Sequence, residues 1–141
     1  MMIDYVLGFL FSPDLNDVLL IEKQRPTWQK GLLNGIGGKV EKGEPFEIAM
    51  KREFLEESGL WVGTWHEFCT LVGAKYKIKC FSGAHDFYCK FTTTTDEQVV
   101  VRPTESLGER VVPNINWLIP MAKDFYWTGG GFGGKIEYRL Y

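Results

Sequence analysis

Residues 38–60 carry acids and an arginine at spacings that suit chemistry: Glu44, then Arg52 and Glu53, then Glu56 and Glu57, with Gly38 and Gly59 at the ends. On a helix turning about 100° per residue, Glu47, Lys51 and Ser58 share one side, the natural solvent face. Glu53 and Glu56 fall roughly opposite, and Glu57 lies beside Glu53. All three continue the side that carries Phe46, Ala49 and Met50. An acidic run on a helix is ordinarily a solvated face. Like charges three and four residues apart nevertheless repel by roughly a few tenths of a kcal/mol even when exposed. Facing inward without a cation, they cost far more or take up protons. A hard divalent cation such as Mg²⁺ removes the conflict, because it takes carboxylate oxygens and bridges to phosphates. Arg52 is placed to pair with a carboxylate and fix its orientation. Gly35, Gly37 and Gly38, just upstream, permit unusual backbone angles and close approach of a ligand or metal to the main chain.

The elements that must hold these residues are legible from pattern. Residues 3–11 read as a strand, 12–17 as turn chemistry, and 18–22 as the returning strand of a hairpin. Residues 24–31 form a polar loop, and the glycine-rich stretch 32–40 leads to the helix. Pro45 suits the first turn of that helix and Gly59 its C-terminal stop. Strands are expected at 61–68, 70–79, 86–92 and 98–102. A second helix runs from an Asn114 cap to about Phe125, and a last strand covers 136–140. No repeat or linker divides residues 1–141, so the expectation is a single domain of α+β class.

Composition narrows the function classes. The chain has 141 residues, 45% hydrophobic and 15% aromatic, which suits a packed core, and a formal charge of −2. Neither a basic nucleic-acid surface nor a membrane-attracting patch is expected. An anionic substrate must then be held by a few local cations, helix-end amides or a metal. Three cysteines, Cys69, Cys80 and Cys89, without a CxxC spacing read as reduced core thiols. The N-terminal residues lack a basic leader and no apolar run reaches membrane length, so a cytoplasmic location is expected.

The stretch from Gly38 to Leu60 resembles the Nudix box, G-x5-E-x7-R-E-U-x-E-E-x-G-U with U a bulky apolar residue, at every defined position. Phe54 fills the first U, which is more often aliphatic, and Leu60 the second. A chance match in a chain of this length is on the order of 10⁻⁸ at average composition. The resemblance implies the Nudix fold, a mixed β-sheet sandwiched between helices with a loop-helix-loop catalytic box. It implies Mg²⁺, with Mn²⁺ as a substitute, bound by Glu53, Glu56 and Glu57 and by the carbonyl of Gly37 or Gly38. One of the glutamates acts as general base, Glu53 being the first choice. Glu44 and Arg52 orient, and Lys39 contacts phosphate or is simply solvated. Nudix enzymes often recruit an acid from outside the box; Glu97 is the candidate here, with Glu105 and Glu109 as competitors.

Outside the box the chain is similar to the MutT-like branch, which hydrolyses nucleoside triphosphates. The likeness lies in Lys23 and in the run from Gly31 to Val40. It implies a small-molecule nucleotide substrate cleaved to nucleoside monophosphate and pyrophosphate, with dGTP, 8-oxo-dGTP or another purine form as examples. Asn34 is the base-reading position, its amide able to donate and accept together, or else it satisfies loop backbone. Mammalian oxidised-purine enzymes carry Trp-Pro-acid-acid before the last helix, whereas this chain has Val112-Pro113-Asn114-Ile115-Asn116. Asn114 therefore stands either as a base contact or as a helix cap, and specificity for an oxidised purine stays open. Trp28 and Trp117 are stacking candidates. ADP-ribose, a sugar nucleotide or a dinucleotide polyphosphate is the alternative substrate, and a non-catalytic binding module the alternative class. The run Gly129 to Lys135 nearly spells a P-loop, but Ile136 replaces its Ser/Thr. His66 and His85 have no partners at ligand spacing.

Overall fold

The computed structural model describes residues 1–128 and 136–139. Strand β1 (Ile3–Phe11) runs through the middle of a mixed sheet. One of its edges pairs in parallel with β6 (Tyr76–Ala84) along its whole length, from Ile3 opposite Tyr76 to Phe11 opposite Ala84. Its other edge is shared. The antiparallel β2 (Asp17–Glu22) takes Leu10 and Phe11, while β4 (Ile36–Lys39) takes Tyr5 to Gly8. β2 in turn pairs with β3 (Leu33–Asn34) and β7 (Val99–Pro103). β5 (His66–Val72) lies between β6 and the parallel β8 (Ile136–Arg139). The chain crosses from the β2 edge to the β1 edge at Gly35, and the sheet forks there.

Two helices cover the two faces, which is the layering that lets a sheet bury both sides. Along β1, Leu7, Phe9 and Phe11 point to one face with Ile115, Leu118, Ile119 and Ala122 of helix α2 (Ile115–Trp127). Val6 and Leu10 point to the other, with Ala49, Met50 and Phe54 of helix α1 (Phe46–Ser58). This alternation is the period of two expected of a strand. It explains why β1 is apolar at nearly every position: it is buried from both sides. Gly59 closes α1 in the left-handed conformation, φ 70°, which a side chain rarely adopts.

Five expectations need correction. The strands expected at 61–68 and 70–79 lie at His66–Val72 and Tyr76–Ala84, because the chain turns at Gly73, whose N–H donates to the Tyr76 carbonyl. Residues 86–92 form no strand: β1 and β5 already occupy both edges of β6, and Phe87 is apolar because it plugs the α1-side core. Ser58, placed on the solvent side from helical spacing, is fully buried, with its hydroxyl donating to the Phe54 carbonyl at 2.7 Å. Cys69 and Cys80 are buried neighbours across β5 and β6, but Cys89 is exposed. The stretch 32–40 also contributes two short strands where only a glycine-rich approach is expected. The P-loop-like run and Leu140 lie outside the described residues. Among those described, no helix is long and apolar enough to cross a membrane.

Candidate active site

Arg52 organises the box. Its Nε and Nη2 donate to the two oxygens of Glu44 at 2.8 and 2.9 Å, a bidentate pairing that suits the planar guanidinium. Nη2 also donates to the Lys39 carbonyl at 3.1 Å, tying α1 to the end of β4. Nη1 reaches Glu53 at 2.9 Å and Glu56 at 3.3 Å. The hydrogen bond from Arg52 holds the Glu44 carboxyl below its ordinary value, and the same bond raises the guanidinium further.

The three box glutamates differ in setting. The Glu53 side chain is only 12% exposed, whereas Glu56 is 56% exposed. The inward placement expected of Glu56 is thus corrected: the buried stripe of α1 runs through Met50, Phe54 and Ser58, and Glu56 falls to one side of it. Glu57 is intermediate and accepts a hydrogen bond from the Thr95 hydroxyl at 3.0 Å. Burial raises the Glu53 carboxyl above its usual range, against the pull of Arg52, and the charges of Glu56 and Glu57 push the same way. Glu57 is likewise raised, first by burial and then by Glu97 and Glu56, with Thr95 opposing.

Gly37 and Gly38 are points of close approach for the protein's own atoms, without unusual angles: neither is among the positive-φ residues. A Cβ on Gly38 would stand 2.4 Å from the Glu53 carboxyl carbon, and one on Gly37 would stand 1.9 Å from the Val6 carbonyl oxygen. Only glycine lets this carboxylate press onto the β4 backbone.

Among the described residues, no three acidic, His or Cys side chains are gathered as a ready-made ligand cluster. Arg52 holds oxygens of Glu53 and Glu56, and Thr95 holds one of Glu57. The donor chemistry nevertheless fits a hard divalent cation: desolvated, mutually repelling carboxylates beside a bare glycine backbone.

Glu97 is 5% exposed and closes a second cluster. Its oxygens accept from the Lys23 ammonium at 3.0 Å, the Gln24 N–H at 2.6 Å and the Arg25 N–H at 3.4 Å. Burial alone would raise its carboxyl, but these donors hold it below the ordinary value. The Glu97 N–H donates to the Thr95 hydroxyl at 3.1 Å, so one hydroxyl joins Glu97 to Glu57. Of the competitors, Glu105 pairs with Lys123 at 3.0 Å and Glu109 is exposed.

A cavity of about 540 Å³ opens at the fork of the sheet. It is lined by Lys23, Trp28, Asn34, Gly37, Gly38 and Asn114, which the sequence singles out, and also by Tyr5, Leu7, Gln29, Tyr76 and Ile78. Lys39 is exposed and does not line it, and Trp117 packs on Tyr138 instead. Asn114 precedes α2 but makes no side-chain cap bond, and its Oδ1 is buried without a partner. Asn114 thus holds the cap position without the side-chain cap bond, and it lines the cavity. Trp28 lies on a single 3₁₀ turn, Thr27–Gln29, and is 64% exposed. Gln29 and Thr95 escape notice in the sequence because their partners, Asn34 and Glu57, meet them only through folding.

Comparison with known proteins agrees with this geometry. A family model described as NUDIX domain matches residues 2–125. The chain is similar to a Mus musculus protein described as an oxidized purine nucleoside triphosphate hydrolase, 48% identical over 63 residues. That match spans 45% of this chain and 38% of the mouse protein. Among solved structures, a MutT from work on Aliivibrio salmonicida and Vibrio cholerae is similar with TM-score 0.70 and 25% identity, covering 88% of this chain and 96% of that one. The NUDIX domain of Shewanella oneidensis NrtR, solved with ADP ribose, gives TM-score 0.75 at 18% identity, covering 89% of each chain, a likeness of fold.

Proposed function

This chain belongs to the Nudix family, and from that premise we propose that it is a divalent-cation-dependent pyrophosphohydrolase, cleaving a purine nucleoside triphosphate to the monophosphate and pyrophosphate. The observation that carries the reading is the shared wall of two sites. Gly37 and Gly38 line the cavity that holds Asn34, Asn114 and Lys23, and Gly38 also abuts Glu53. A base seated among the amides thus leaves its phosphates facing the acidic helix.

Glu53, Glu56 and Glu57, with a carbonyl of Gly37 or Gly38, are the proposed holders of Mg²⁺ or Mn²⁺. Glu97 keeps acceptor capacity beyond its three donors and is the proposed acid from outside the box. The bound cation supplies neutralisation of the phosphates and lowers the pKa of an attacking water. Lys23, fixed by Glu97, offers its ammonium to a phosphate or sugar oxygen. Trp28 offers a ring face to the base, and Asn34 and Asn114 supply polar contacts to its edge. Glu53 is the proposed general base: it is the most buried of the three box glutamates, and burial raises its carboxyl above the usual range, which favours taking up a proton. Arg52 and Glu44 hold it in place. The mouse relative acts on oxidised purine nucleoside triphosphates by its description, which supports the triphosphate class for this chain.

The test is incubation with Mg²⁺ and a panel of nucleoside triphosphates, ADP-ribose, sugar nucleotides and dinucleotide polyphosphates, with products separated. Monophosphate plus pyrophosphate from a triphosphate is expected. Orthophosphate release from a triphosphate overturns the bond assigned, and turnover of ADP-ribose alone overturns the substrate class. Tight binding with no turnover of any compound favours a binding module.

A further inference from the structure

The amide of Asn34 is held at both ends. Its Oδ1 accepts the backbone N–H of Gly35 at 2.8 Å, and because that N–H is only a donor, the atom facing it must be the oxygen. The Nδ2 of Asn34 therefore lies on the other side, where it donates to Oε1 of Gln29 at 3.1 Å. That assignment propagates. The Gln29 acceptor is turned towards Asn34, so its Nε2, with two N–H donors, forms the remaining end of the side chain. Gln29 is also fixed through its main chain, its N–H donating to Pro26 and its carbonyl accepting from Leu32. It lines the cavity with Asn34 and Asn114.

We propose that Gln29 is a specificity-determining residue, presenting an amide donor to the base and selecting a 6-keto over a 6-amino purine. The inference rests on the nucleoside triphosphate reading above. A 6-keto oxygen accepts from Gln29 Nε2, while the adjacent ring N–H is left to the polar lining that Asn114 adds to the same cavity. A 6-amino purine sets donor against donor at Gln29 and leaves polar groups unsatisfied, which is the stronger kind of discrimination. The backbone N–H of Gly35 thus sets the reading frame of two side chains in sequence, Asn34 and then Gln29.

Gln29→Glu separates this role from mere support of Asn34. The glutamate still accepts from Asn34 Nδ2, so the relay persists, but it turns an acceptor on the base. Inosine and adenosine nucleotides are the probes, because they differ at the 6-position and the neighbouring ring nitrogen. Wild-type protein is expected to bind inosine monophosphate more tightly than adenosine monophosphate in calorimetric titration. The inosine-to-adenosine ratio is expected to fall roughly tenfold in Gln29→Glu, with the same change in the kcat/KM ratio for the triphosphates. Gln29→Met, similar in length and without polar ends, is expected to lower the ratio less and guards against a glutamate-specific folding defect. Equal loss for both nucleotides in both variants, an unchanged ratio, or a wild-type preference for adenosine overturns the proposal. If wild-type protein hydrolyses neither triphosphate, the hydrolase reading fails by itself, and the monophosphate titrations still decide the role of Gln29.

Discussion

The Thr95 hydroxyl donates to the Glu57 carboxylate at 3.0 Å while accepting the N–H of Glu97 at 3.1 Å. One side chain thus links the acidic helix to the loop whose Glu97 anchors Lys23. Partners of this kind orient metal-ligating carboxylates, and their loss typically lowers metal affinity about 10- to 100-fold. Thr95→Val, which keeps the shape and removes the hydroxyl, is expected to weaken Mn²⁺ binding about tenfold, read by paramagnetic titration. Thr95→Ser is expected to retain it. Glu57→Gln, which removes the carboxylate charge, should lose roughly a hundredfold or more in metal-dependent turnover; wild-type rates in that variant would sink its assignment.

Two neighbouring glycines are expected to fail in different ways. A methyl on Gly37 meets the Val6 carbonyl of the adjoining strand, which cannot yield. Gly37→Ala should cost about 3 kcal/mol in chemical denaturation. A methyl on Gly38 meets the end of the Glu53 side chain, which can swing away. Gly38→Ala should therefore stay folded and lose about a hundredfold in kcat through displacement of that carboxylate. The reverse pattern would contradict the placement of Glu53.

Arg52→Lys should behave as a disruptive change. Lysine has no fork to meet both oxygens of Glu44 while also reaching Lys39 and Glu53. A loss of about 2 kcal/mol is expected, with lowered kcat. Unaltered stability would show that the Arg52 network is solvated in solution.

Acid should unfold the protein partly through Glu44. Its folded pKa lies below the ordinary 4.5, so the ion pair's contribution is complete above that pH and fades as pH falls through the lower folded value. Glu97 has the same sign. Glu53 and Glu57, raised in the folded state, have the opposite one and gain relative stability on protonation. Thermal midpoints measured from neutrality down to about pH 3 should fall less steeply in Glu44→Gln than in wild type. Parallel curves would remove Glu44 from the account.

Much of the scaffold is legible before folding is considered. Both helices and the first strand follow from periodicity, Pro45 and Gly59, because local chemistry sets them. The region from 61 to 92 is misread at its edges because the same apolar residues serve strands and core plugs alike. Phe87 looks like a strand residue until both edges of β6 are seen to be taken. Glu56 and Ser58 exchange their expected settings because helical spacing gives angles around an axis, while only packing decides which angle faces the core, here the one through Met50, Phe54 and Ser58.

The box is legible from residue order alone: which carboxylates, which arginine, which glycines, and hence the family and the proposed divalent-cation chemistry. Those residues lie within one loop and one helix, where chain geometry leaves little freedom. What surrounds the box depends on the fold. Gln29 meets Asn34 across the loop, Thr95 meets Glu57 across 38 positions, and Glu97 meets Lys23 across 74. Such pairs are chosen by the fork of the sheet, which brings distant loops to one cavity, and no local spacing encodes them.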